Sequence, residues 1–236
     1  MLLTNASFVV TIAEGAAPLG GVQLWEGGPY WAECNVGATT PEEYGYYFWW
    51  GDTVGYKREG DAWVASDGSS ENFSFDKDNT PTYDTDDATL QSEGWITAEG
   101  VLAPEHDAAQ VQWGGGWRMP TDSELSALID NCEWTSTATN GVNGYMVHGR
   151  GDFAEASIFL PAAGYGYGDS LSYDGFYGNF WSIVPHTSIY YSPETHNHYD
   201  ALYLDFACFG WGTLQYVDNV DRHRGYSIRP IRGATE

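Results

Sequence analysis

The stretch TDSELSALIDNC, residues 121–132, is the strongest single indication of the fold. Thr121 and Glu124 form the S/T-x-x-E pattern of a capping box, which satisfies free backbone N–H groups at the start of a helix. The apolar residues behind this cap recur at helical spacing and predict one buried stripe: Leu125, Leu128, Ile129 and Cys132. We therefore predict a helix over Thr121–Cys132 with one face toward the core.

The sequence on either side of this helix favours one further helix and several short strands. Pro104–Trp113 begins with a proline and two acidic residues, a pattern typical of the first turn of a helix. Alternating and aromatic runs predict strands at Ser7–Ile12, Ala62–Ala65, Phe73–Phe75, Tyr145–His148, Ser157–Leu160, Ala201–Phe206 and Tyr226–Ile231. The prediction is an α+β fold with antiparallel sheets, in which residues 1–20 are an extension or linker and residues 21–233 form one domain.

Charge and composition exclude several classes of protein. The chain has 9 Lys and Arg against 33 Asp and Glu, a net charge of −24 that repels phosphate backbones and anionic lipids. Nucleic-acid binding is not expected, and neither is membrane insertion, because the longest apolar runs are far shorter than a membrane span. Aromatic residues make up 16% of the chain, which excludes a disordered protein. The three cysteines lack CxxC spacing, so a disulfide framework is not expected, although one bridge is left open.

Tyrosine is concentrated in the last third of the chain. Ten of the 17 tyrosines and four of the six histidines lie within residues 165–229, among Ser, Asp, Gly and Asn. Tyrosine offers a large and stiff contact area at low entropic cost, while Ser, Gly and Asn adapt their hydrogen bonds. This composition predicts a binding surface, and the alternative is an ordinary β-rich domain whose tyrosines cover a sheet. The polar rows Ser188–Ser192 and His196–Asp200 are predicted to lie on exposed loops.

The sequence contains no recognisable catalytic motif. A nucleophile elbow and an HExxH helix are both absent, and with 33 acidic residues a pair of carboxylates has no diagnostic value. The glycine runs 114–116 and 164–168 lack the continuation of a phosphate-binding loop. The chain is therefore predicted not to be an enzyme.

Metal sites are also not predicted. His196 and His198 form an H-x-H pair that would hold zinc only with further ligands such as His186 or Asp200, and exposed histidines are the interpretation we favour. The acidic clusters at residues 76–79 and 84–87 lack the EF-hand pattern and are interpreted as solvated loop charges. We expect no metal and no cofactor, with structural calcium left open as an alternative.

Seven blocks of sequence follow one another along the chain: WAECNVGA (31–38), YYFWWGD (46–52), AAQVQWGGGWRMPT (108–121), IFLPAAG (158–164), GNFWS (178–182), ALYLDF (201–206) and RHRGYSIRP (222–230). This combination resembles the Fibrobacter succinogenes major paralogous domain family over about Val22–Gly233. The resemblance implies a C-type lectin-like fold, related to that of the formylglycine-generating enzymes, in which Val22–Trp25 and Ile228–Ile231 pair as neighbouring strands. It also implies core positions for Trp25, Trp117, Trp181 and Phe206, and framework roles for Arg118 and Arg229.

The chain also resembles the variable proteins of diversity-generating retroelements, in which adenine-directed mutagenesis rewrites the last part of the domain. Residues 165–229 resemble such a variable region, because framework residues such as Trp181 and Pro230 alternate with Tyr, Asp, His, Asn and Ser. Glu194, Gln215 and Trp211 depart from the simplest codon pattern. The resemblance implies an extracellular or cell-surface bacterial protein, or a phage tail protein, although no targeting segment is visible at the start of the chain.

Together these features predict a non-enzymatic, adhesin-like recognition domain whose partner is a cell-surface protein or glycan. The predicted ligand-binding residues are Tyr173, Asp174, Phe176, Tyr177, Asn179, His186, Ile189, Tyr190, Tyr191, His196, His198, Tyr199, Asp200, Phe209, Trp211, Tyr216, Asp218, Asn219, Asp221, His223 and Arg224. The alternative is a carbohydrate-binding module with one fixed ligand, for which Phe209, Trp211 and Tyr216 form the platform. A third hypothesis is an enzyme related to the formylglycine-generating enzymes, but no reactive cysteine pair is apparent. The oligomeric state stays open.

Overall fold

The computed structural model describes residues 20–191, 195–208 and 215–233, except for the side chains of residues 189–191, 195 and 196. Within these residues the chain is a mixed α+β fold, as predicted, with three α-helices and mostly antiparallel strands. The helices are α1 (Asp87–Glu93), α2 (Ala108–Trp113) and α3 (Asp122–Asn131). None of them is long and apolar enough to cross a membrane. The predicted strand Ser7–Ile12 lies outside the described residues.

The first eight strands are β1 (Val22–Gln23), β2 (Tyr30–Trp31), β3 (Tyr56–Glu59), β4 (Ala62–Ala65), β5 (Trp117–Arg118), β6 (Glu133–Thr139), β7 (Val142–His148) and β8 (Ser157–Pro161). The remaining six are β9 (Tyr165–Tyr167), β10 (Ser170–Ser172), β11 (Tyr177–Tyr191), β12 (Thr195–Ala207), β13 (Gln215–Asp221) and β14 (Ile231–Arg232). They form three larger sheets, of order β1-β2-β14-β5, β6-β7-β8 and β11-β12-β13, and two hairpins, β3-β4 and β9-β10. The predicted strand Tyr226–Ile231 does not form as predicted: only Ile231 belongs to a strand, and the residues before it are mostly irregular.

Helix α3 forms where the capping box predicts it. The hydroxyl of Thr121 accepts a hydrogen bond from the backbone N–H of Glu124 at 3.2 Å, and the Glu124 carboxylate accepts one from the N–H of Thr121 at 2.9 Å. Arg118 adds two donors to the same carboxylate, at 2.6 and 2.8 Å. Leu125 and Leu128 are buried against the core. The local sequence therefore suffices to start this helix and to orient it.

The second predicted helix, Pro104–Trp113, is interrupted at Asp107. Residues 104–106 form a 3-10 turn, and α2 begins only after Asp107, whose carboxylate accepts from the N–H groups of Ala109 and Gln110. The same carboxylate also accepts from the N–H of Met119 at 2.9 Å, so it joins the helix start to the chain entering α3. Helix α1 was not predicted, although Asp86 caps it through the N–H of Thr89 at 3.0 Å.

The two ends of the described chain meet in one sheet but are not direct neighbours. Strand β1 pairs with β2 through Val22 and Trp31, and β14 pairs with the other edge of β2 through Ile231 and Trp31. The predicted direct pairing of Val22–Trp25 with Ile228–Ile231 is therefore wrong. Trp31, which lies on β2 between the other two strands, is completely buried in the core.

Strands β11 and β12 form a long antiparallel hairpin that continues through the polar sequence. The register pairs Tyr177 with Ala207 at one end and Tyr191 with Thr195 at the other, with an irregularity between Trp181 and Pro185. The prediction of exposed loops at Ser188–Ser192 and His196–Asp200 is wrong for the described residues of both segments. Polar side chains do not prevent backbone pairing, because a strand can extend past the core while its ladder of hydrogen bonds continues.

The core is dominated by aromatic side chains. Four tryptophans are completely buried: Trp31, Trp50, Trp63 and Trp181. Trp117 and Phe206 are also buried, as the family resemblance implies, whereas Trp25 is only partly buried at the edge of the core. Trp181 lies 4.4 Å from Tyr226 between ring centroids, and this contact joins the core to the tyrosine-rich segment.

Two buried arginines hold segments that are distant in sequence. Arg229 is 1% exposed and donates to the carbonyl oxygens of Ala32, Glu33 and Phe159. Arg222 is completely buried and donates to the carbonyls of Thr82, Thr85 and Asp200. Four of these six backbone oxygens, those of Ala32, Glu33, Thr82 and Thr85, lie outside helices and strands, so the arginines supply donors where no regular element does. The geometry of Arg229 and of the Arg118–Glu124 pair agrees with the predicted framework roles, and Arg222 is a framework residue that the sequence did not reveal.

Candidate ligand-binding surface

Two exposed tyrosines flank the loop between β10 and β11 in a fixed arrangement, Tyr173 as its first residue and Tyr177 as the first residue of β11. Tyr173 and Tyr177 are 57% and 38% exposed, and their ring centroids are 5.4 Å apart. The backbone of Tyr173 is left-handed, with a φ angle of 58°, which is unfavourable for such a residue and persists only where the surroundings impose it. The N–H groups of Phe176 and Tyr177 both donate to the Tyr173 carbonyl. The rings are therefore held in place before a ligand binds, which lowers the entropic cost of binding.

Gly164 allows this loop to lie close to β9. It has a φ angle of 61°, and a Cβ atom at this position would lie 2.2 Å from the carbonyl oxygen of Ser172 and 2.5 Å from the backbone nitrogen of Asp174. Neither contact is compatible with a side chain. A glycine at this position is thus a requirement for the placement of Tyr173.

A groove of about 350 Å³ opens beside the loop, and we call it the tyrosine groove. Its lining residues are Tyr165, Tyr173, Tyr177, Asn179, Tyr203, Asp205, Val220, Arg224 and Tyr226. Tyr165 and Tyr173 are stacked, with ring centroids 5.8 Å apart and an interplanar angle of 30°. Tyr203 and Tyr226 are buried, with centroids 4.8 Å apart, so they form the base of the groove. The groove combines aromatic faces with a few polar groups, as small ligand sites commonly do.

The polar groups on one side of the tyrosine groove form a row across three strands. Asn179, Asp205 and Tyr216 are direct register partners on β11, β12 and β13. The Asn179 amide donates to one Asp205 oxygen at 3.0 Å, and the Tyr216 hydroxyl donates to the other at 2.7 Å. Burial raises the pKa of Asp205, although both donors oppose the rise. The hydrogen bond to Asp205, together with burial, raises the pKa of Tyr216 to about 12.

Arg224 separates the tyrosine groove from a second groove of about 520 Å³ and lines both. Its guanidinium lies 4.0 Å from the ring centroid of Tyr167 and 5.4 Å from that of Tyr165. The other residues that line the second groove are Phe75, Asp76, Lys77, Tyr83, Tyr167, Gly168, Asp221 and His223. Burial lowers the pKa of His223, which favours its neutral form.

The structure brings some of the predicted site residues together and separates others. Tyr173, Tyr177, Asn179 and Arg224 line the tyrosine groove, Tyr216 adjoins it through Asp205, and Asp221 and His223 line the second groove. The predicted residues that line neither groove are Asp174, Phe176, His186, His198, Tyr199, Asp200, Asp218 and Asn219. The side chains of Ile189, Tyr190, Tyr191 and His196, and the whole of Phe209 and Trp211, lie outside the described residues.

Eleven residues of the two grooves were missing from the predicted set, among them the aromatic and acidic residues Tyr165, Tyr167, Tyr203, Asp205 and Tyr226. Tyr165 and Tyr167 belong to the run GYGYG at residues 164–168, which we considered only as a phosphate loop. The alternation of tyrosine with glycine in that run was the available signal. Tyr203 and Asp205 lie in a strand that the sequence predicts as core, and no local feature marks them as groove residues.

The acidic clusters that we left open for calcium are engaged in helix capping. The Asp76 carboxylate accepts from the N–H groups of Asp78 and Asn79, and Asp86 caps α1. Among the described residues, His198, Asp200 and Asp221 form the one group of three potential metal ligands that converge. His198 and Asp200 lie on β12 rather than on a loop, with Asp221 at the end of β13.

The three cysteines are free thiols of low expected reactivity. Cys34 and Cys132 are buried, and Cys208 is partly buried. Burial raises the pKa of the Cys34 thiol and raises those of Cys132 and Cys208 to about 11. All three are therefore thiols at neutral pH, whereas a reactive cysteine requires the thiolate.

Comparison with known proteins adds no family to these observations: no family model matches the chain, and neither a curated protein nor a solved structure is found to be similar to it.

Proposed function

We propose that this chain is a non-enzymatic recognition domain with a C-type lectin-like fold, which binds a protein or glycan ligand through the tyrosine groove. The observation that supports this most directly is the turn from Tyr173 to Tyr177, which ends in the first residue of β11. It keeps two large rings exposed, packs one of them on Tyr165, and accepts an unfavourable backbone at Tyr173 to do so. Strained backbone of this kind concentrates at functional positions.

The groove offers complementary polar groups beside its aromatic faces. Arg224 provides N–H donors, and Asp205 provides a carboxylate whose two oxygens already hold donors. Asn179 is 4% exposed, and its side-chain oxygen has no hydrogen-bond partner among the described residues. A buried acceptor without a donor costs about 1–3 kcal/mol, so a hydroxyl or amide donor that reached it would gain correspondingly. These features suit an uncharged polar ligand, such as a sugar ring or an exposed protein loop.

The chemistry of the cysteines supports a non-enzymatic role. An oxidase of the formylglycine-generating type depends on a reactive cysteine pair, whereas burial raises the pKa of each thiol in this chain. The fold alone does not decide function, because related scaffolds support different activities.

Bacterial surface or phage display, and diversification by a retroelement, remain part of the proposal. Exposed positions such as Tyr173, Tyr177 and Tyr216 lie within residues 165–229, where the variable region is expected. Buried positions in the same segment, such as Trp181 and Phe206, have the character of framework residues.

The test is a double substitution, Tyr173→Ala with Tyr177→Ala, in the full chain. Binding would be measured on a glycan array and, by flow cytometry, on intact bacterial cells exposed to the fluorescently labelled chain. We expect signals with the parent chain to fall by about tenfold or more in the variant, as for other aromatic hot spots, while the melting temperature is retained. Val111→Ala removes an exposed apolar side chain on α2 and is the matched control. Equal binding by the variant and the parent would refute the proposal.

A carbohydrate-binding module with one fixed ligand is the second candidate. The stacked rings of Tyr165 and Tyr173 favour it, because sugars bind to such faces, and the polar row beside them is suited to hydroxyl groups. Of the predicted platform, Tyr216 is 42% exposed, while Phe209 and Trp211 lie outside the described residues. A single class of sugar that quenches the intrinsic fluorescence, and that binds equally to natural variants of the chain, would favour this candidate over a diversified receptor.

A further inference from the structure

A histidine lies between two carboxylates on the sheet β11-β12-β13. The Nδ1 atom of His198 is 2.8 Å from Asp200, and its Nε2 atom is 3.2 Å from Asp221. One potential ligand atom from each of the three side chains lies within 4.8 Å of the others. The set is distinct from the tyrosine groove, although Asp221 also lines the second groove, which gives the set access to solvent.

The set of His198, Asp200 and Asp221 carries more negative than positive charge, which favours the binding of a cation. Asp200 is 2% exposed, and its second oxygen accepts a hydrogen bond from the neutral hydroxyl of Ser188 at 2.9 Å. Two carboxylates bring two negative charges, and one imidazole carries at most a single positive charge. The guanidinium of Arg222 lies near Asp200, but it donates to the backbone carbonyl of Asp200 and forms its ion pair with Asp87, so it does not pair with the Asp200 carboxylate. Buried carboxylates are stable when they are paired with a cation or bind a metal. A divalent ion would balance both charges.

The distances fit a tetrahedral metal ion. An ion placed about 2.0–2.2 Å from both His198 Nε2 and the Asp221 oxygen would subtend an angle of about 100° between them, close to tetrahedral. The Nδ1–H group of His198 would then donate to Asp200, which is the arrangement that orients a metal-binding histidine through its other nitrogen. Ser188 in turn fixes Asp200.

The strand register offers a third ligand. His186 on β11 is the direct partner of Asp200, which is itself the partner of Asp221 on β13. Directly paired residues have Cβ atoms about 4.5–5.5 Å apart and diagonal pairs about 7–8 Å, which is within reach of an imidazole. His186 does not belong to the converging group in this structure, so its side chain would have to rotate toward His198 to bind the ion. Nitrogen and oxygen donors of this kind suit zinc better than calcium or magnesium, which prefer oxygen alone.

We propose that this set is a zinc site, in which His198, Asp221 and His186 bind the ion and Asp200 is the positioning residue for His198. The ion would join three strands at the edge of the second groove. Its fourth coordination position would take water or an oxygen from a ligand, as open zinc sites do. The proposal is independent of the tyrosine groove, so either one can fail without the other.

The test is titration of the purified chain with Zn²⁺ by isothermal calorimetry, followed by Co²⁺ substitution read from the visible absorption spectrum. We expect one zinc ion per chain, a tetrahedral Co²⁺ spectrum, and an affinity reduced by about tenfold or more in Asp200→Asn, as for other orienting carboxylates. His198→Ala and Asp221→Asn should abolish binding, whereas His148→Ala, a partly buried histidine on β7, should bind as the parent does. Circular dichroism would establish that each variant is folded.

Three outcomes would overturn the proposal. These are a parent chain that does not bind zinc, a His198→Ala variant that is folded and binds zinc with parental affinity, and an octahedral Co²⁺ spectrum that persists in that variant. Should a variant fail to fold, the parent chain still decides the matter, because stoichiometric binding must raise its melting temperature in Zn²⁺ and the addition of a chelator must reverse the rise.

Discussion

The hydroxyl group of Tyr216 donates a hydrogen bond of 2.7 Å to the buried carboxylate of Asp205. The two residues are register partners on β13 and β12, so the bond stabilises the pairing of these strands beside the tyrosine groove. Because Tyr216 is 42% exposed, water competes for its hydroxyl, and we assign the bond a contribution near the lower end of the range for charged acceptors.

Tyr216→Phe is therefore expected to lower the free energy of unfolding by about 1.5 kcal/mol at neutral pH. The loss should disappear in a background of Asp205→Leu, which removes the acceptor at similar volume, and a double-mutant cycle by urea unfolding measures this coupling. Tyr167→Phe changes the hydroxyl of another exposed tyrosine and serves as the control. A loss that persists in the Asp205→Leu background would show that the hydrogen bond is not its source.

Gly164→Ala is expected to disturb the loop that carries Tyr173. The added Cβ atom would lie 2.2 Å from the Ser172 carbonyl oxygen, in a backbone with a φ angle of 61°. Gly168→Ala is a matched control, because Gly168 has a φ angle of 54° but no atom within 4 Å of the added Cβ. In both variants an alanine in the left-handed backbone lowers the free energy of unfolding by about 1 kcal/mol. Only Gly164→Ala adds a steric conflict with neighbouring atoms.

We expect Gly164→Ala to melt at a lower temperature than Gly168→Ala and to lose more binding on the probes used for the tyrosine groove. Thermal unfolding and the glycan and cell assays measure the two effects separately. Similar melting temperatures and similar binding for the two variants would show that the loop adapts, contrary to the preorganisation argument.

Asp52 is expected to make stability depend on pH. It is 4% exposed, its carboxylate accepts from the N–H groups of Val54 and Gly55, and burial raises its pKa to about 6. Because the folded pKa lies above the unfolded value of 3.8, the folded state binds the proton more tightly. The contribution of Asp52 to the free energy of unfolding is thus fully present below about pH 4 and is lost as the pH rises through about 6. The total change is about 3 kcal/mol.

The measurement is urea unfolding of the parent chain and of Asp52→Asn between about pH 4 and pH 7. Subtracting the unfolding free energy of the variant from that of the parent chain removes the general effect of the high net charge, because both chains carry nearly the same charge. We expect the stability of the parent chain to fall relative to that of the variant as the pH rises. Parallel stability curves would contradict a raised pKa at Asp52.

Natural sequence variation provides a test of the proposed diversification. If a retroelement rewrites this domain, coding differences in a natural population should fall at adenines and at exposed positions such as Tyr173 and Tyr177. Buried positions in the same segment, Trp181, Leu204 and Phe206, should stay constant. Deep sequencing of the encoding locus measures the distribution. Differences spread evenly along residues 20–233 would argue against diversification and in favour of one fixed ligand.

The parts of the fold that depend on neighbouring residues could be predicted from the sequence. Thr121 and Glu124 cap α3 without outside help, and the α+β class follows from the two kinds of periodicity. The interruption of the second helix could not be foreseen, because Asp107 also binds the N–H group of Met119, twelve residues further on. Strand β11 and the polar first half of β12 were missed, although Ala201–Phe206 within β12 was predicted as a strand, since cross-strand pairing decides the extent of both strands rather than the polarity of either one.

The binding surface, too, could be predicted only in part, where it depends on local sequence. Composition pointed to Tyr173 and Tyr177, whose exposure the structure shows, because exposed tyrosine is recognisable among small polar neighbours. Tyr203 and Asp205 were not recognised, since a groove wall on a buried strand has the same sequence pattern as core. The place of Asp205 in the groove depends on Asn179 and Tyr216, which bond to its carboxylate from the neighbouring strands.

The reach of the two buried arginines has a consequence for how the chain folds during synthesis. Arg229 binds the carbonyl of Ala32 across 197 residues, and Arg222 binds that of Thr82 across 140. A ribosome that adds about 5–20 residues per second must therefore complete nearly the whole domain before either early segment obtains its partner. Contacts of such long range also slow refolding. The entropic cost of bringing the two segments together arises before the stabilising bond between them can form. Until then the carbonyls of Ala32 and Thr82 are hydrated instead of bonded to an arginine, and the nascent domain stays accessible to chaperones and proteases.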